Sequence, residues 1–451
     1  MCDLEWTITP PTMMVGYQGL QDAATLRNIS GFYEREFPRQ LLGGPNRDFT
    51  EEQRTLTKER HPSRDSNKTK VAFISAFFMQ HSVGRLMIGV MERMDKTKFE
   101  LQCYASSRYW NVDEDDIGRR LWEVCDVHDL LPRDREQARA IVVQHKPDVV
   151  IYPELGMDAF TYYFSFARLA PVQMVFWGHP ISQGVASIDY FISSELFELD
   201  STGKIEPDAC NEQRIMMEGM TTIFSRPEVG VVEKEGREDL KEEFGLRGKR
   251  LYLCSQTLMK FHLDFDEALL GIIEGDEDGV VVITYNSNQE LWKSALERRL
   301  TEEGGRRRRE RKSARVGEVM FIKALEKEKF YRLLASADVV LDTFPWGGGV
   351  TALEAFAAGA VIVSLPSRQH VVKLVSGFYQ VMGLDREEGL IAESVDEYVE
   401  MALKLGKDIG GVRQKLGALV RERVGLLFDG QGVVQEWEDM LLRVVGESVD
   451  D

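Results

Sequence analysis

The fold is decided by residues 337–354, whose sequence is ADVVLDTFPWGGGVTALE. Residues 339–341 are an apolar run that predicts a buried parallel strand. Three consecutive glycines follow at 347–349, and residues 350–358 then carry small and apolar side chains at helical spacing. A strand, a glycine turn and a helix in this order aim backbone N–H groups and the positive end of a helix dipole at a phosphate. The segment therefore predicts a phosphate-binding turn at the edge of a parallel sheet.

Two polar residues of the predicted helix extend this site. Thr351, near the helix start, can donate its hydroxyl to a phosphate, and Glu354 lies one turn further along the same face. Glu354 can accept hydrogen bonds from ribose hydroxyls, as an acidic residue does in dinucleotide-binding folds. The alternative is a plain strand-to-helix turn in which Gly347, Gly348 and Gly349 only supply positive φ angles. The turn by itself leaves both interpretations open.

Length and composition indicate a globular protein with more than one domain. The chain of 451 residues exceeds the size of one hydrophobic core, and its apolar fraction of 43% is ordinary. No apolar run reaches membrane-spanning length, and residues 1–6 lack the features of a secretory signal. Cysteines at positions 2, 103, 125, 210 and 254 favour a reducing compartment and predict neither a disulfide framework nor a zinc site. We therefore expect a cytoplasmic location and no membrane partner.

The charge of the chain argues against general binding to nucleic acid. Its formal net charge is −18, which does not suit a polyanionic partner. Residues 306–315 (RRRRERKSAR) oppose this trend. They are either a nuclear-import or polyanion-binding patch, or a solvated loop between a helix and the next strand. Nuclear entry is therefore left open, and no nucleic-acid partner is expected.

Alternating strands and helices predict two parallel α/β domains. We expect a helical N-terminal extension at 1–68, a first domain at 69–202, a connector at 203–248, a second domain at 249–430, and a C-terminal helix or tail at 431–451. Ligands of such sheets bind at the carboxyl ends of the strands, so two tandem sheets predict a shared ligand cleft. The expected strands are 71–75, 99–105, 148–152, 172–177, 189–193, 251–255, 280–284, 319–322, 339–341 and 360–365.

Two histidines follow strands of the first domain at the edge where a ligand is expected. His81 lies in the turn after the first strand, where it can position an acceptor hydroxyl or transfer a proton. Its alternative role is to cap the helix that follows. His179 follows a later strand, beside Gly178 and Pro180, and either faces the cleft or belongs to a rigid structural turn.

Two lysines of the second domain are candidates for contact with a nucleotide. Lys260 follows the first strand of that domain, where a cation would stabilise a leaving diphosphate. Lys327 opens the helix before the glycine turn and can contact a base or a phosphate. For each lysine an ordinary surface charge is the alternative. Asp-x-Asp triplets fall in polar loops or at a helix start, and we expect no metal site.

Four blocks in collinear order resemble glycosyltransferase family 41. This family contains the O-GlcNAc transferases, the SPINDLY-type O-fucosyltransferases and the bacterial N-glucosyltransferases. The resemblance extends over residues 70–430, and the blocks are 74–87, 168–192, 256–260 and 337–383. It implies the GT-B fold, in which two Rossmann-like domains face a cleft and the second binds most of the donor nucleotide.

The resemblance also implies an enzyme that transfers a sugar from a nucleotide sugar to a protein, with inversion and without a metal or another cofactor. In the O-GlcNAc transferases the donor is UDP-GlcNAc and the acceptor is Ser or Thr. By position, His81 matches the acceptor-side histidine, and His179 falls in an acceptor-side block. The donor-side matches are Lys260 on the diphosphate, Gln256 in the same block, Lys327 near the base, Gly347, Gly348 and Gly349 in the turn, Thr351 as a hydroxyl donor and Glu354 at the ribose.

Several positions depart from the family pattern. Gly349 replaces a histidine, Val350 a threonine and Phe77 an aspartate, and the spacing from Gln256 to Lys260 is one residue longer. Three other functions therefore stay open. The first is a protein O-fucosyltransferase or glucosyltransferase of the same family. The second is a nucleotide-sugar-binding protein without turnover, and the third is a sugar-nucleotide epimerase of GT-B fold.

Overall fold

The structure, a computed structural model, divides into two compact units. The N-terminal unit takes its residues from 1–16, 20–225 and 429–451, and the C-terminal unit from 17–19 and 226–428. The residues that the structure describes are 10–19, 23–37, 68–106, 115–199, 204–205, 210–229, 236–311, 317–366, 373–385 and 390–450.

The N-terminal unit is built on one parallel sheet. Its strands are β1 (Thr69–Ser75), β2 (Phe99–Ser106), β3 (Val127–Leu131), β4 (Val149–Tyr152), β5 (Val172–Phe176), β6 (Tyr190–Ser194) and β7 (Gln213–Met217). They form a seven-stranded sheet in the order β3-β2-β1-β4-β5-β6-β7, and all neighbouring strands run parallel. The central strands β4 and β5 are buried along their whole length because helices cover both faces. The order reverses between β1 and β4, so the carboxyl ends of these strands form a switch point for ligands.

Helices precede and connect these strands. They are α1 (Pro11–Tyr17), α2 (Ala23–Glu36), α3 (Ser82–Met91), α4 (Asp116–Val124), α5 (Arg135–Gln144), α6 (Ala159–Phe164) and α7 (Glu195–Glu198). Helices α4, α5 and α6 begin where the side chains of Asp115, Asp134 and Asp158 accept backbone N–H groups of the first turn.

The C-terminal unit is built on a smaller parallel sheet. Its strands are β8 (Arg250–Cys254), β9 (Gly279–Tyr285), β10 (Glu318–Lys323), β11 (Val339–Leu341) and β12 (Ile362–Val363). The order is β10-β9-β8-β11-β12 with all pairs parallel, so the switch point lies between β8 and β11. Its helices are α8 (Arg237–Glu243), α9 (Leu263–Gly275), α10 (Glu290–Arg311), α11 (Lys327–Ser336), α12 (Val350–Ala357), α13 (Leu374–Val381), α14 (Val395–Gly406) and α15 (Val412–Arg423). Single 3₁₀ turns occur at Leu258–Lys260, Ser287–Gln289, Ile409–Gly411 and Val424–Leu427.

The last helix, α16 (Val433–Asp450), follows the second sheet in sequence but belongs to the N-terminal unit. Trp437 of this helix is fully buried, and its ring centroid lies 5.8 Å from that of Phe176 in β5. Its indole N–H donates to the carbonyl of Thr221 at 3.0 Å. Apolar packing of α16 therefore makes this late segment of the chain part of the N-terminal unit.

The expected connector at 203–248 is wrong, because it contains elements of both units. β7 extends the first sheet, and α8 belongs to the C-terminal unit. β3 was also not predicted. β3 and β7 are the two edge strands, and burial alternates along both of them. An edge strand that is half exposed lacks the continuous apolar run by which central parallel strands are predicted.

The basic segment is not a loop where the structure describes it. Helix α10 continues through Arg306 and Arg307, and residues 312–315 lie outside the described residues. Arg306 pairs with Glu303 at 2.5 Å, Arg307 pairs with the same carboxylate at 3.0 Å, and Arg307 also pairs with Glu267. Ion pairs at helical spacing stabilise this last part of the helix. The patch for import or polyanion binding stays a prediction.

The expectation that the cysteines form no disulfide is wrong for one pair. Cys103 and Cys125 are joined, with their Cα atoms 5.9 Å apart. Cys103 lies in β2, and Cys125 precedes the neighbouring strand β3, so sheet pairing brings them together across 22 residues of sequence. Cys254 is buried and Cys210 is half-buried, and both are free.

Among the described residues, none of the helices combines the length and the apolar character needed to cross a bilayer.

Candidate functional site

The turn after β11 is organised by the carboxylate of Asp342. One carboxylate oxygen accepts the backbone N–H of Gly348 at 2.6 Å, and the other accepts the hydroxyl of Ser364 at 2.6 Å. The hydroxyl of Tyr398 donates to the Asp342 carbonyl at 2.8 Å. Asp342 is only 3% exposed. The glycine turn is thus anchored to the carboxyl end of β11 by a buried acceptor.

The glycines of this turn are required by close approach. A Cβ on Gly347 would lie 2.8 Å from a carboxylate oxygen of Asp342, and one on Gly348 would lie closer than 3.0 Å to the amide nitrogen of Gln256. Gly347, Gly348 and Gly349 are not among the glycines with positive φ, and φ of Gly349 is −110°. The interpretation in which they supply positive φ angles is therefore wrong. The side chains of Asp342 and Gln256 would therefore have to shift to admit a larger residue at Gly347 or Gly348.

Lys260, Gln256 and Thr351 form a hydrogen-bonded chain beside this turn. The Lys260 ammonium donates to the Gln256 side-chain oxygen at 2.8 Å and to the Gly347 carbonyl at 2.7 Å. The Gln256 amide nitrogen donates to the Thr351 hydroxyl oxygen at 2.6 Å. Gln256 and Lys260 follow β8, whereas Thr351 opens α12 after β11. The chain of bonds therefore spans the switch point of the sheet, where a ligand of an open α/β sheet binds.

Burial changes the charge balance at this array. Desolvation lowers the pKa of Lys260 to about 8, although the nearby Asp342 and Cys254 act in the opposite direction. Desolvation also raises the pKa of Asp342 to about 6, against hydrogen bonds from Ser364 and Gly348 and the charge of Lys260. At neutral pH the lysine is therefore mainly an ammonium and the aspartate mainly a carboxylate. An anion bound beside Lys260 would favour its protonated form further.

Backbone amides at the start of α12 complete an anion-binding arrangement. Gly349 is the N-cap of this helix and has no side chain that could cap its first N–H groups. The N–H groups of Gly349, Val350 and Thr351 come too early in the helix to have acceptors within it. Gly349 and Thr351 are half-buried, so they stay accessible. Amides that have no acceptor among the described residues, together with the helix dipole, favour a bound phosphate.

A third group of predicted residues lies on α11 and α12. The hydroxyl of Tyr331 donates to a carboxylate oxygen of Glu354 at 3.3 Å. The ammonium of Lys327 lies 5.9 Å from the centre of the Tyr331 ring. Tyr331 and Glu354 are buried, whereas Lys327 is exposed. Tyr331 thus brings Lys327 and Glu354 into one neighbourhood that the sequence spacing did not reveal.

His81 lies at the switch point of the N-terminal unit, after β1. Its Nδ1 accepts the backbone N–H of Val83 at 3.3 Å, so it caps α3. Its ring stacks on Phe77 with centroids 4.3 Å apart, and desolvation lowers its pKa to about 4. The neutral ring whose Nδ1 accepts a bond carries its proton on Nε2. His81 in this state offers a donor and no second acceptor.

Of the two interpretations of His179, the rigid structural turn agrees with the burial of its side chain. His179 is only 1% exposed, and burial lowers its pKa to about 3. The preceding Gly178 packs against the Pro153 carbonyl so closely that a Cβ would collide with it. The turn after β5 therefore has the close packing of a rigid structural turn.

Sequence reasoning missed Asp342, Ser364 and Tyr331 as members of the site. Asp342 and Ser364 each follow directly on a buried strand, β11 and β12, and a polar residue at that position is a usable signal. Tyr331 carried no such signal. Its role depends on the packing of α11 beside α12.

Metal ligands do not cluster in the described part of the chain. There, no three side chains of His, Cys, Asp or Glu converge so that they could hold an ion. Independence from metals and cofactors stays a prediction.

Comparison with known proteins gives a consistent set of relatives. The sequence profile described as Glycosyl transferase family 41 matches residues 298–436. The chain is 21% identical over 361 residues to the probable UDP-N-acetylglucosamine–peptide N-acetylglucosaminyltransferase SEC of Arabidopsis thaliana, which covers 79% of this chain and 34% of that protein. It is 24% identical over 319 residues to a UDP-glucose:protein N-beta-glucosyltransferase of Actinobacillus pleuropneumoniae serotype 7, which covers 67% of this chain and 45% of that protein. The chain thus spans less than half the length of these two relatives.

The fold also matches a solved structure. An O-GlcNAc transferase mutant from Thermobaculum terrenum superposes with a TM-score of 0.73 at 18% identity, over 96% of this chain and 76% of that chain. At this identity the likeness shows the fold alone. Together with the two parallel sheets, it confirms the expected GT-B class.

Proposed function

Since the chain belongs to glycosyltransferase family 41, we propose that it transfers a sugar from a nucleotide-sugar donor to hydroxyl groups of proteins. The donor we propose is UDP-GlcNAc, and the acceptors are Ser and Thr side chains. The observation that supports this most is the array of Lys260, Gln256 and Thr351 beside the glycine turn at the switch point. It joins a cation, a hydroxyl and free backbone amides in one place, as a bound diphosphate requires.

In this proposal the C-terminal unit holds the donor. The diphosphate accepts the N–H groups of Gly349, Val350 and Thr351 at the start of α12. Lys260 lies beside the same turn, through its bond to the Gly347 carbonyl. The nucleoside extends toward the neighbourhood of Tyr331, where the exposed Lys327 can contact the base and Glu354 accepts a hydrogen bond from Tyr331 close to the ribose.

The chemical step forms one bond and breaks another at the anomeric carbon. The acceptor oxygen attacks the anomeric carbon while the bond from that carbon to the diphosphate oxygen breaks, so the configuration at the carbon inverts. The electron pair of the broken bond stays on the departing nucleoside diphosphate, and the ammonium of Lys260 offsets the charge that develops there. The proton of the acceptor hydroxyl passes to a donor phosphate or to water.

His81 takes a positioning role in this scheme. Because its Nδ1 already accepts the Val83 N–H, the neutral ring has a proton on Nε2 and donates from there. The low pKa of the ring keeps it neutral at physiological pH. His81 therefore orients an oxygen on the acceptor side by donating a hydrogen bond.

Replacement of Lys260 tests the donor role. We expect Lys260→Ala to lower kcat by two to three decades, about 3–4 kcal/mol, because a cation at a developing negative charge is lost. Lys249→Ala is the matched control, since Lys249 precedes the same strand β8 at its other end and pairs only loosely with Glu318, at 3.8 Å. Near-normal turnover of Lys260→Ala would refute the role at the diphosphate.

The identity of the sugar is tested by intact-mass analysis. Candidate acceptor proteins are incubated with UDP-GlcNAc, UDP-glucose or GDP-fucose, and the added mass identifies the sugar. Glucose is the second candidate, because one relative is named a UDP-glucose:protein N-beta-glucosyltransferase. Mass addition with UDP-GlcNAc supports the proposal. If each donor protects the protein against thermal unfolding but none adds mass, the chain is a nucleotide-sugar-binding protein without turnover.

A further inference from the structure

The C-terminal unit contains a cavity at the other end of α12 from the glycine turn. It has a volume of about 500 Å³ and lies at the C-terminal ends of α11 and α12, against Ala335 and Gly359. Both helices end there just before β11 and β12 begin. The cavity thus lies at the amino edge of the sheet, whereas the donor turn follows the carboxyl end of β11. Its size is within the range usual for small-molecule sites, about 300–1,000 Å³.

Three arginines, Arg226, Arg237 and Arg421, line this cavity. Arg237 pairs with Asp338 at 3.5 Å, but that carboxylate is shared. Lys241 contacts it at 2.7 Å and Arg413 at 2.5 Å. Asp338 is 3% exposed. A single carboxylate carries at most one negative charge, so it neutralises at most one of the three cations that surround it.

Two further carboxylates of the C-terminal unit are engaged with the cations around Asp338. Glu238 pairs with Lys241 at 2.8 Å, and Asp408 pairs with Arg413 at 3.4 Å. Within the described residues, Arg226 and Arg421 form neither an ion pair nor a hydrogen bond, and both are exposed. Two guanidinium groups therefore stand at the mouth of the cavity without a carboxylate of their own.

Part of the wall of the cavity is apolar. Leu240, Phe356 and Val424 line it and are at most 2% exposed. A guanidinium presents parallel N–H donors that match a phosphate, and it also stacks on aromatic rings. Apolar walls favour a ligand whose body is apolar or aromatic. The arrangement suits a phosphate group at the rim and an apolar group inside.

We propose that this cavity binds a phosphorylated small molecule with an apolar or aromatic body, at a site separate from the donor turn. Arg226 and Arg421 bind the phosphate, and Leu240, Phe356 and Val424 contact the body of the ligand. The proposal does not depend on the glycosyltransferase activity, because no residue of the donor array takes part in it.

The test measures binding of phenyl phosphate to the full chain by calorimetry, at physiological ionic strength. We expect phenyl phosphate to bind more tightly than inorganic phosphate, because its ring enters the apolar part of the cavity. The double variant Arg226→Ala, Arg421→Ala should bind it about tenfold or more weakly, since each charged hydrogen bond that is lost costs affinity. Any binding of phosphate at the donor turn is the same in the parent and the variant, so the difference reports on the cavity.

A charge-matched control removes two exposed arginines elsewhere, Arg247→Ala and Arg443→Ala. Unchanged binding by this control supports the proposal, and an equal loss would show only a general effect of net charge. Arg421→Lys keeps the charge and removes the planar fork, so we expect an intermediate loss. Because Arg226 and Arg421 form no hydrogen bond or ion pair among the described residues, the variants should keep a thermal midpoint close to that of the parent. Equal affinity of the parent and the double variant would overturn the proposal.

Discussion

Substitution of Gly348 by alanine gives the sharpest test of the donor site. A Cβ at this position would lie closer than 3.0 Å to the amide nitrogen of Gln256 and 3.0 Å from the hydroxyl oxygen of Thr351. Because φ of Gly348 is not positive, the methyl group causes a steric conflict and no backbone strain. Gln256 must therefore move away from the turn.

The expected cost follows from the bonds that Gln256 makes. Its displacement breaks the 2.6 Å bond to Thr351 and the 2.8 Å bond from Lys260. A neutral hydrogen bond contributes about 0.5–1.5 kcal/mol, and one from a charged group about 1.5–3 kcal/mol. We expect Gly348→Ala to lower the free energy of unfolding of the C-terminal unit by about 2–4 kcal/mol. Since Lys260 loses one of its two acceptors, kcat/KM for the donor should also fall.

The assay is hydrogen exchange of peptides from β8 and β11 in a urea series, which reports on the C-terminal unit by itself. Gly425→Ala is the control, because a Cβ there meets no atom within 4 Å. The second comparison is a double-mutant cycle with Gln256→Ala, in which most of the effect of Gly348→Ala should disappear. The reasoning fails if Gly348→Ala resembles Gly425→Ala, or if its full effect persists without the Gln256 side chain.

The other predictions concern single residues of the two switch points. Because the pKa of Lys260 is about 8, kcat/KM should fall as pH rises through that value. The bound diphosphate favours the ammonium, so kcat should hold to higher pH. A kcat/KM profile that stays flat to pH ~9.5 would contradict this prediction. Asp342→Ala leaves the Gly348 N–H and the Ser364 hydroxyl without their acceptor, so the free energy of unfolding measured in urea should fall by about 2–5 kcal/mol. Asp342→Asn keeps one acceptor oxygen and should lower it clearly less. His81→Ala should lose about 1 kcal/mol of stability with its helix cap, and His81→Asn should keep the cap but lose transfer. Full transfer activity of His81→Asn would show that the histidine only caps α3.

Much of the fold was predictable because central parallel strands leave a strong pattern. β4 and β5 are buried on both faces, so each of their side chains must be apolar or otherwise satisfied, and the run is visible in the sequence. The edge strands β3 and β7 were missed because half of their residues face outward. The end of α10 was missed because its run of charged residues carries no apolar periodicity. Its ion pairs with Glu303 and with Glu267, which lies on another helix, are visible only in the structure.

The candidate site was predictable to the extent that topology places it. Residues that follow β8 and β11 must meet at one edge of a parallel sheet, so Lys260 and the glycine turn could be expected together from their positions alone. The bridge through Gln256, the anchor at Asp342 and the link through Tyr331 could not be predicted. Each depends on which side chain reaches which atom, and spacing along the chain does not carry that information.

The sequence by itself determined the alternation of strands and helices, the glycine turn and the identity of the charged groups near it. These are local properties, since hydrophobic pattern and turn chemistry act over a few residues. Only the tertiary structure decided that the glycines are needed for close packing, that His179 is enclosed, and that Cys103 meets Cys125. Such outcomes depend on atoms brought together from distant parts of the chain, where burial and contact distance set both the chemistry and its energy.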